Sequence, residues 1–429
     1  MLLSTFFGAT ASAERLHRLR DARLREIVAY AYGHTAYYRR LLDSAGVRPE
    51  HIKGVSDLRL VPPTSREALQ EIALEEFLPG GTARGRRVST SGSTGRPVTA
   101  VWTRTEGRVQ RLITWREMQS NGARPGWRMA RFYLRGDTSR PPGLALARLG
   151  LHLASFNIKE PPEALLPLLQ RLRPHLMYGV ASYFAMLARA ALDRGIKISP
   201  RLVVTSADTL TDQARLVMGQ AFGCDPIEVY SCVETGDMAW HCRARRRLHV
   251  NSDLLWLEVL REDGTPAEPG EPGDLTCTSL YHYGMPRIRY QPGDIGSMSA
   301  EPCECGLAHP CVAELSGRKS DLLRLPDGRM ITPIVLAYLF FDYPRTQAYR
   351  FLQEGQHRLV IEVVPGSDLP ADDLEKVRRK AFDVLGGQLD VEVRVVATIP
   401  RVGLGKQVLA STSGTPPPTR HGQGNEEQG

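Results

Sequence analysis

A nine-residue segment, residues 89–97, constrains the fold of this chain more than any other part of it. The segment holds five hydroxyl side chains, two glycines, one arginine and a closing proline. Strands and helices both disfavour this mixture, which indicates a loop. Glycines let the backbone turn with its N–H groups pointing inward, and the hydroxyls add donors, so the loop is suited to bind polyphosphate. A flexible Ser/Gly-rich turn without a ligand is the alternative. The phosphate-binding residues predicted here are Thr90, Ser91, Gly92, Ser93, Thr94, Gly95 and Arg96.

Length and composition indicate a globular protein with one large domain and one small one. The chain has 429 residues, of which 42% are hydrophobic. No apolar run approaches the ~20 residues that cross a bilayer. The first thirteen residues lack the charged leader and the long apolar run of a secretory signal. We therefore expect a cytoplasmic protein that has no membrane partner.

The net charge of +8 does not by itself define a partner. A basic balance can indicate nucleic-acid binding, but the arginines are spread along the chain and no base-reading motif with interleaved aromatic residues occurs. An anionic small substrate agrees equally well with the charge. We expect a small-molecule acid as the partner, no nucleic acid, and a monomer or homodimer.

The hydrophobic pattern predicts an α/β protein of layered sheets and helices. Residues 14–46 show helical spacing of apolar side chains, and strand and helix signals then alternate to about residue 300. From Asp321 a compact α+β pattern restarts, and the chain after Ser411 is rich in proline and polar residues. The domains predicted from these changes are 1–319, a large N-terminal domain; 320–411, a small C-terminal domain; and 412–429, a disordered tail.

Four further segments follow the loop in a fixed order: 230–236, 289–294, 317–321 and 403–406. They read Tyr-Ser-Cys-Val-Glu-Thr-Gly, Arg-Tyr-Gln-Pro-Gly-Asp, Gly-Arg-Lys-Ser-Asp and Gly-Leu-Gly-Lys. Together the ordered set resembles the acyl-adenylate-forming ligases, and within them the phenylacetate–CoA ligase-like branch, including its relatives from polysaccharide and natural-product gene clusters. The resemblance covers residues 15 to about 410. No single segment is decisive, whereas their order is specific.

The resemblance implies ATP, Mg²⁺ and, as a co-substrate, CoA or a carrier protein. It implies that the protein converts a carboxylic acid and ATP to an acyl-adenylate and pyrophosphate, and then transfers the acyl group to a thiol. Glu234 would hold Mg²⁺, Asp294 would accept hydrogen bonds from the ribose hydroxyls, and Lys406 would bridge the attacking carboxylate and the α-phosphate. Other residues expected to contact ATP or AMP are Tyr230, Ser231, Thr235 and Arg318.

Each of these residues also has a structural interpretation when it is taken singly. Glu234 can cap a helix, Asp294 can be a plain turn residue, and Lys406 can be a solvated lysine. The order of the segments favours the functional interpretation.

The acid pocket is expected around Tyr133, Tyr178, Gly179 and Trp240. These aromatic residues favour an aryl or arylalkyl acid. The sequence does not define which group receives the acyl group, because proteins of the same fold also perform amide ligation or activate nitrite for diazotisation.

Two departures from the family pattern also leave open a degenerate, ATP-binding regulatory protein. Val233 stands where a hydroxyl residue is common, and Ser320 replaces the usual acidic hinge residue. An intact Lys406 argues against such loss of activity.

Cysteine and histidine spacing predicts a structural zinc site. Six residues separate Cys242 from His249 along one segment, while Cys303 and Cys305 form a close pair on another. Such a Cys₃His set can enclose zinc tetrahedrally with no open position. Cys311 or His309 are alternative ligands, and unrelated thiols are the alternative to a metal site.

Overall fold

One large mixed sheet forms the framework of the N-terminal part. In the computed structural model, thirteen strands of the described residues join it, in the order β1-β13-β12-β14-β15-β10-β9-β8-β7-β6-β4-β5, with β11 paired to β12. The structure describes residues 11–89, 98–133, 152–158, 160–208, 210–244, 247–319, 323–327, 330–331, 336, 339–340, 346–366, 370–399 and 410–412.

The α-helices are α1 Ala13–His34, α2 Ala36–Ser44, α3 Arg66–Glu71, α4 Arg104–Ser120, α5 Pro162–Leu172, α6 Ala181–Asp193, α7 Asp212–Phe222 and α8 Ala371–Val384. Short 3₁₀ helices occur at Pro49–His51, Val55–Leu60, Leu74–Phe77 and Pro79–Gly81.

The strands up to the middle of the chain are β1 Thr64–Ser65, β2 Arg86–Ser89, β3 Thr99–Trp102, β4 Arg128–Tyr133, β5 His152–Asn157, β6 Leu176–Val180, β7 Leu202–Ser206, β8 Ile227–Cys232, β9 Gly236–His241, β10 Leu248–Val250 and β11 Leu255–Leu260. They are followed by β12 Gly273–Ser279, β13 Tyr290–Gln291, β14 Asp294–Met298, β15 Cys311–Arg318, β16 Leu323–Arg324, β17 Met330–Ile331, β18 Thr346–Glu354, β19 Arg358–Pro365, β20 Asp390–Val395 and β21 Ala410–Thr412.

The N-terminal helices pack through the apolar stripe that the sequence predicts. In α1, Leu24, Ile27 and Val28 are fully buried, and they join a cluster that reaches residues 280–288. Thr35 separates the two helices, because its backbone is extended and its hydroxyl caps the start of α2. The helical prediction for residues 14–46 is therefore confirmed, with one break.

The parallel part of the sheet carries helices on both faces. Strands β5, β4, β6, β7 and β8 run parallel to their neighbours. Helices α5, α6 and α7 cover one face through a shared apolar cluster, and α4 contributes Trp115 and Met118 to the cluster on the other face. This arrangement is the layered α/β fold that the alternation predicts.

The predicted alternation is wrong after α7. From β8 to β15 the described chain forms strands that pair mostly antiparallel. The hairpin of β11 and β12 shows why, because its connection contains Asp263 and Gly264, and Gly264 has a φ of +81°. Turns of this kind join neighbouring antiparallel strands directly, so no helix is needed to cross the sheet.

The C-terminal part has its own sheet and core. Strands β20, β19, β18 and β21 pair in that order, and α8 packs on them through Val377 and Ala381. The hydroxyl of Tyr349 on β18 hydrogen-bonds Thr211 at the start of α7, which links the two parts. The boundary at residues 319/320 stays a prediction, and residues 320–322 and 413–429 lie outside the described part of the chain. Among the described residues, no helix combines the length and the apolar character needed to cross a membrane.

Candidate active site

Glu234 lies in the tight turn between β8 and β9, and its carboxylate is almost fully buried. Arg66 donates a hydrogen bond to Glu234 Oε1 over 2.7 Å, and the Tyr290 hydroxyl donates to the same oxygen over 3.0 Å. Both donors therefore hold the carboxylate through Oε1. Burial, with Glu234 close by, raises the pKa of Tyr290 well above its usual value, so the phenol stays a donor.

The backbone around Glu234 is held from several sides. The indole Nε1 of Trp102 donates to the carbonyl of Val233 over 3.0 Å. Gly236 has a φ of +78°, and a Cβ added there would meet Gln110 and Trp102. Only glycine fits this position without displacing a neighbour. The turn therefore presents Glu234 in one fixed orientation.

Asp294 lies on β14, three strands from β9 in the sheet, and forms the centre of a second polar group. It pairs across the β14–β15 ladder with Arg318, whose Nε lies 3.0 Å from Oδ1. The hydroxyl of Tyr230 donates to Oδ2 over 2.8 Å. Asp294 raises the pKa of Arg318, and Glu234 adds to that effect. The structure therefore brings together four of the residues predicted to bind ATP and Mg²⁺: Tyr230, Glu234, Asp294 and Arg318.

Two further residues predicted to contact nucleotide make internal contacts. Ser231 shares a hydrogen bond of 2.8 Å with Ser206 on the neighbouring strand β7. Thr235 is fully buried, and its hydroxyl lies 2.9 Å from the Cys232 sulfur. The roles of Ser231 and Thr235 in binding nucleotide stay predictions.

The residues predicted for the acid pocket lie in three different environments. Tyr178 and Tyr133 both lie beside the guanidinium of Arg131, whose Cζ is 5.6 Å and 5.9 Å from the two ring centres. Gly179 packs under Phe132, since an added Cβ would lie 2.8 Å from the Phe132 Cβ. Trp240 is 1% exposed, and its Nε1 donates to Asn251 Oδ1 over 3.2 Å. Trp240 therefore belongs to the core beside His249, while the two tyrosines line a more open surface.

The four predicted zinc ligands lie close together, with His249 on β10. The ligand atoms of Cys242, His249, Cys303 and Cys305 all lie within 4.8 Å of one another. His249 Nε2 is 3.2 Å from the Cys305 sulfur, and the Cys242 and Cys303 sulfurs are 3.7 Å apart. The alternative ligand Cys311 lies on the other side of the imidazole, 3.5 Å from Nδ1. The other alternative, His309, hydrogen-bonds Ser252 through its Nδ1.

The donor set fits a zinc ion on chemical grounds. Cys305 is exposed at the edge of the group, and partial desolvation together with the neighbouring thiols raises its pKa, so that a cation would stabilise the thiolate form. Three sulfurs and one imidazole nitrogen are the ligands that Zn²⁺ prefers in closed structural sites.

Two parts of the predicted site lie outside the described residues. These are the phosphate loop, Thr90 to Arg96, and Lys406. The hairpin that carries the loop is described: β2 and β3 pair antiparallel, and the hydroxyls of Ser89 and Thr99 lie 3.0 Å apart at its end. Trp102, on the same hairpin, contacts the turn before Glu234. The strand that follows the loop, β3, is thus anchored to the residue before Glu234.

Sequence reasoning missed several residues of the site. Arg66 follows a Pro-Pro-Thr-Ser segment and reaches Glu234 only because β1 pairs in parallel with β13. Arg131 and Asp237 interrupt otherwise apolar strands, and a charged residue inside such a strand is the signal that could have identified them.

Comparisons with known proteins agree with this arrangement. The chain is 29% identical over 330 residues to a phenylacetate–CoA ligase of Thermus thermophilus, covering 73% of each sequence. It is 25% identical over 334 residues to the phenylacetate–CoA ligase of Escherichia coli, covering 73% of this chain and 74% of that one. A solved 2-hydroxyisobutyryl-CoA ligase has the same fold, with a TM-score of 0.81 at 20% identity, over 94% of this chain and 91% of the other. No protein-family model matches the chain.

The fold, the ordered segments and these relatives agree on one class of protein. The resemblance to the acyl-adenylate-forming superfamily seen in the sequence is confirmed, and so is the α/β fold class. The chain is an enzyme of the AMP-forming ligase class.

Proposed function

We propose that the protein joins a carboxylic acid to AMP and then transfers the acyl group to CoA. In the first step the acid's carboxylate attacks the α-phosphorus of ATP, and the bond to pyrophosphate breaks. In the second step the CoA sulfur attacks the acyl carbon, its proton is lost, and AMP leaves. The observation that carries this proposal is the convergence of Arg66, Glu234, Tyr290, Asp294 and Arg318 from distant parts of the chain.

The described residues have distinct tasks in this proposal. Asp294, held by Tyr230 and Arg318, accepts hydrogen bonds from the ribose, while Arg318 stays cationic beside the phosphate. Glu234 would hold Mg²⁺ through its carboxylate, which Arg66 and Tyr290 orient. When bound, Mg²⁺ neutralises phosphate charge. Lys406 enters from the C-terminal domain, which exchanges between two arrangements for the two steps.

The acid is proposed to be aryl or arylalkyl. Support comes from Tyr133 and Tyr178 on the open surface beside β4 and β6. Parallel sheets bind ligands at the carboxyl ends of their strands; Tyr133 is the last residue of β4, and Tyr178 lies in the middle of the neighbouring β6.

The test of this function is the product pattern with the wild-type protein. We expect AMP and pyrophosphate to form from ATP and Mg²⁺ only when an acid is present, and a thioester to form when CoA is added. Pyrophosphate and thioester are measured across a panel of acids, with reactions that lack acid or CoA as controls. Formation of ADP and phosphate, or acid-independent hydrolysis, would contradict the proposal.

We also propose that Cys242, His249, Cys303 and Cys305 bind one structural zinc ion. Purified protein should contain about one zinc per chain, and Cys303→Ser should lose it. Because a closed zinc site stabilises the fold, the variant should melt several degrees lower, whereas intrinsic rates should change little. Elemental analysis and a thermal melt measure these effects.

Two matched controls accompany the zinc experiment. Cys224→Ser changes a half-buried cysteine outside the group and should keep both zinc and melting temperature. Cys311→Ser tests the alternative ligand and should also keep zinc. Wild-type protein that is free of zinc yet melts at the same temperature would rule the site out.

A further inference from the structure

A buried carboxyl pair lies beside the proposed acid pocket and has no task in the mechanism above. Asp237 is 6% exposed and Glu117 is 1% exposed. The two carboxyls contact each other, and Glu117 Oε2 receives no hydrogen bond from any other donor among the described residues. Two carboxylates in contact inside a protein cannot both ionise, so the pair shares one proton.

The surroundings decide which carboxyl keeps the proton. Asn251 donates to Glu117 Oε1 over 2.8 Å, and burial together with Asp237 raises the pKa of Glu117 well above its usual range. Burial raises the pKa of Asp237 as well, but the Thr114 hydroxyl, which donates to it over 2.7 Å, and the nearby cation of Arg131 act against that rise. Glu117 is therefore the protonated partner that donates, and Asp237 is a charged acceptor.

The acceptor is bordered by polar side chains that are only partly buried. Gln110 and Thr114 on α4 and Tyr178 on β6 are half-buried, and Arg131 on β4 is exposed. Arg131 has no ion pair with a described carboxylate; its described contacts are the rings of Tyr133 and Tyr178. These groups form a polar surface between α4 and the ends of the parallel strands.

This polar surface is close to the proposed reaction centre. Asp237 follows Glu234 by three residues, which span at most about 10 Å of extended chain. Gly236, with a φ of +78°, lies between the two residues and turns the chain there. A small aromatic acid joined to a phosphate has a comparable length.

We propose that Asp237 selects acids that carry a neutral hydrogen-bond donor, either a hydroxyl or an aromatic amine, on the part of the molecule remote from the carboxylate. This inference rests on the proposed acid activation and adds the substrate class. Asp237 provides the acceptor, and Arg131 disfavours a cationic ammonium at the same place. Glu117 acts as a positioning residue, because it holds Asp237 through the shared proton.

The first test uses the wild-type protein and needs no variant. Pyrophosphate release is measured with benzoate and phenylacetate, and with their hydroxy and amino derivatives at each ring position. A site built to bind a substrate donor discriminates strongly against the analogue that lacks it. We expect at least one derivative to exceed its unsubstituted parent about 100-fold in kcat/KM. Parents that equal or exceed every derivative would overturn the inference.

Variants assign the preference to Asp237. Asp237→Leu should reduce the ratio between derivative and parent to less than about tenfold, chiefly by loss of activity with the derivative. Folding is checked by thermal melt and by ATP binding. If this variant does not fold, Thr114→Val, which removes the hydroxyl that orients Asp237, should lower the same ratio. An unchanged ratio in a folded variant would overturn the assignment.

The positioning role of Glu117 has its own readout. Glu117→Gln keeps an N–H donor towards Asp237 and should keep the preference, whereas Glu117→Leu should lose it. Equal ratios in these two variants would contradict the shared proton.

If no acid of the panel releases pyrophosphate, the proposed function fails and this inference fails with it. If acids react without any preference, only this inference fails.

Discussion

Glu234→Gln should lower acid-dependent pyrophosphate release about 100- to 1,000-fold, the scale at which losing one charge-stabilising group usually acts. Glutamine keeps a carbonyl oxygen that can accept from Arg66 and Tyr290, so the turn is retained. The change removes only the negative charge that would hold Mg²⁺. The concentration of Mg²⁺ needed for half-maximal rate should therefore rise as well.

The matched control for this variant is Tyr290→Phe. It removes the second hydrogen bond to Glu234 but leaves the carboxylate charged, so we expect a loss of about tenfold or less. Initial rates are measured over a range of Mg²⁺ concentrations for both variants and the wild type.

Stability must be followed in parallel, because Arg66 is buried beside Glu234. A buried cation that loses its charged partner destabilises a protein by about 3–5 kcal/mol when nothing replaces the partner. The glutamine carbonyl limits this loss. A folded Glu234→Gln enzyme with unchanged rate and unchanged Mg²⁺ dependence would show that Glu234 only anchors Arg66 and the turn.

Local sequence patterns were sufficient to predict much of the fold. The apolar spacing over residues 14–46 predicts the helical region that α1 and α2 occupy, and the alternation of strand and helix signals predicts the parallel layers up to α7. The failure after residue 222 has a physical cause. Antiparallel hairpins depend on turn geometry at single positions such as Gly264, which weakly periodic strands do not reveal.

The site was predicted where its residues belong to contiguous motifs. Tyr230, Glu234, Asp294 and Arg318 were all named from the sequence, and the structure places them around one centre. The partner of Glu234 was not, because Arg66 lies 168 positions away and is brought in by a two-residue parallel pairing. Contacts of this kind depend on the tertiary fold and leave no local pattern.

Trp240 was assigned to the acid pocket from its residue type. An aromatic residue after Glu234 suggested the acid pocket, but strand alternation turns its side chain towards Trp115 and His249. Its neighbour on the same strand, Asp237, faces Thr114 and the polar surface instead. The substrate class proposed above therefore rests on Asp237 and not on Trp240.

Lys406→Ala should lower acyl-adenylate formation about 100- to 1,000-fold while ATP binding stays nearly unchanged. The proposed contact of this lysine bridges the attacking carboxylate and the α-phosphate, where negative charge grows only as the bond forms. An interaction made mainly in the transition state affects kcat, whereas ground-state affinity is little altered. Pyrophosphate release and ATP affinity measure the two quantities separately.

Lys319→Ala is the matched control, because Lys319 forms an exposed ion pair with Asp274 and should have little effect on either quantity. A synthetic acyl-adenylate supplied together with CoA separates the two half-reactions. Since Lys406 is proposed to serve only the first, Lys406→Ala should form thioester from that intermediate at close to the wild-type rate. Equal losses in both half-reactions would indicate a general role in folding or nucleotide binding. Full activity in the first would show that another cation stabilises the charge that develops on the α-phosphate.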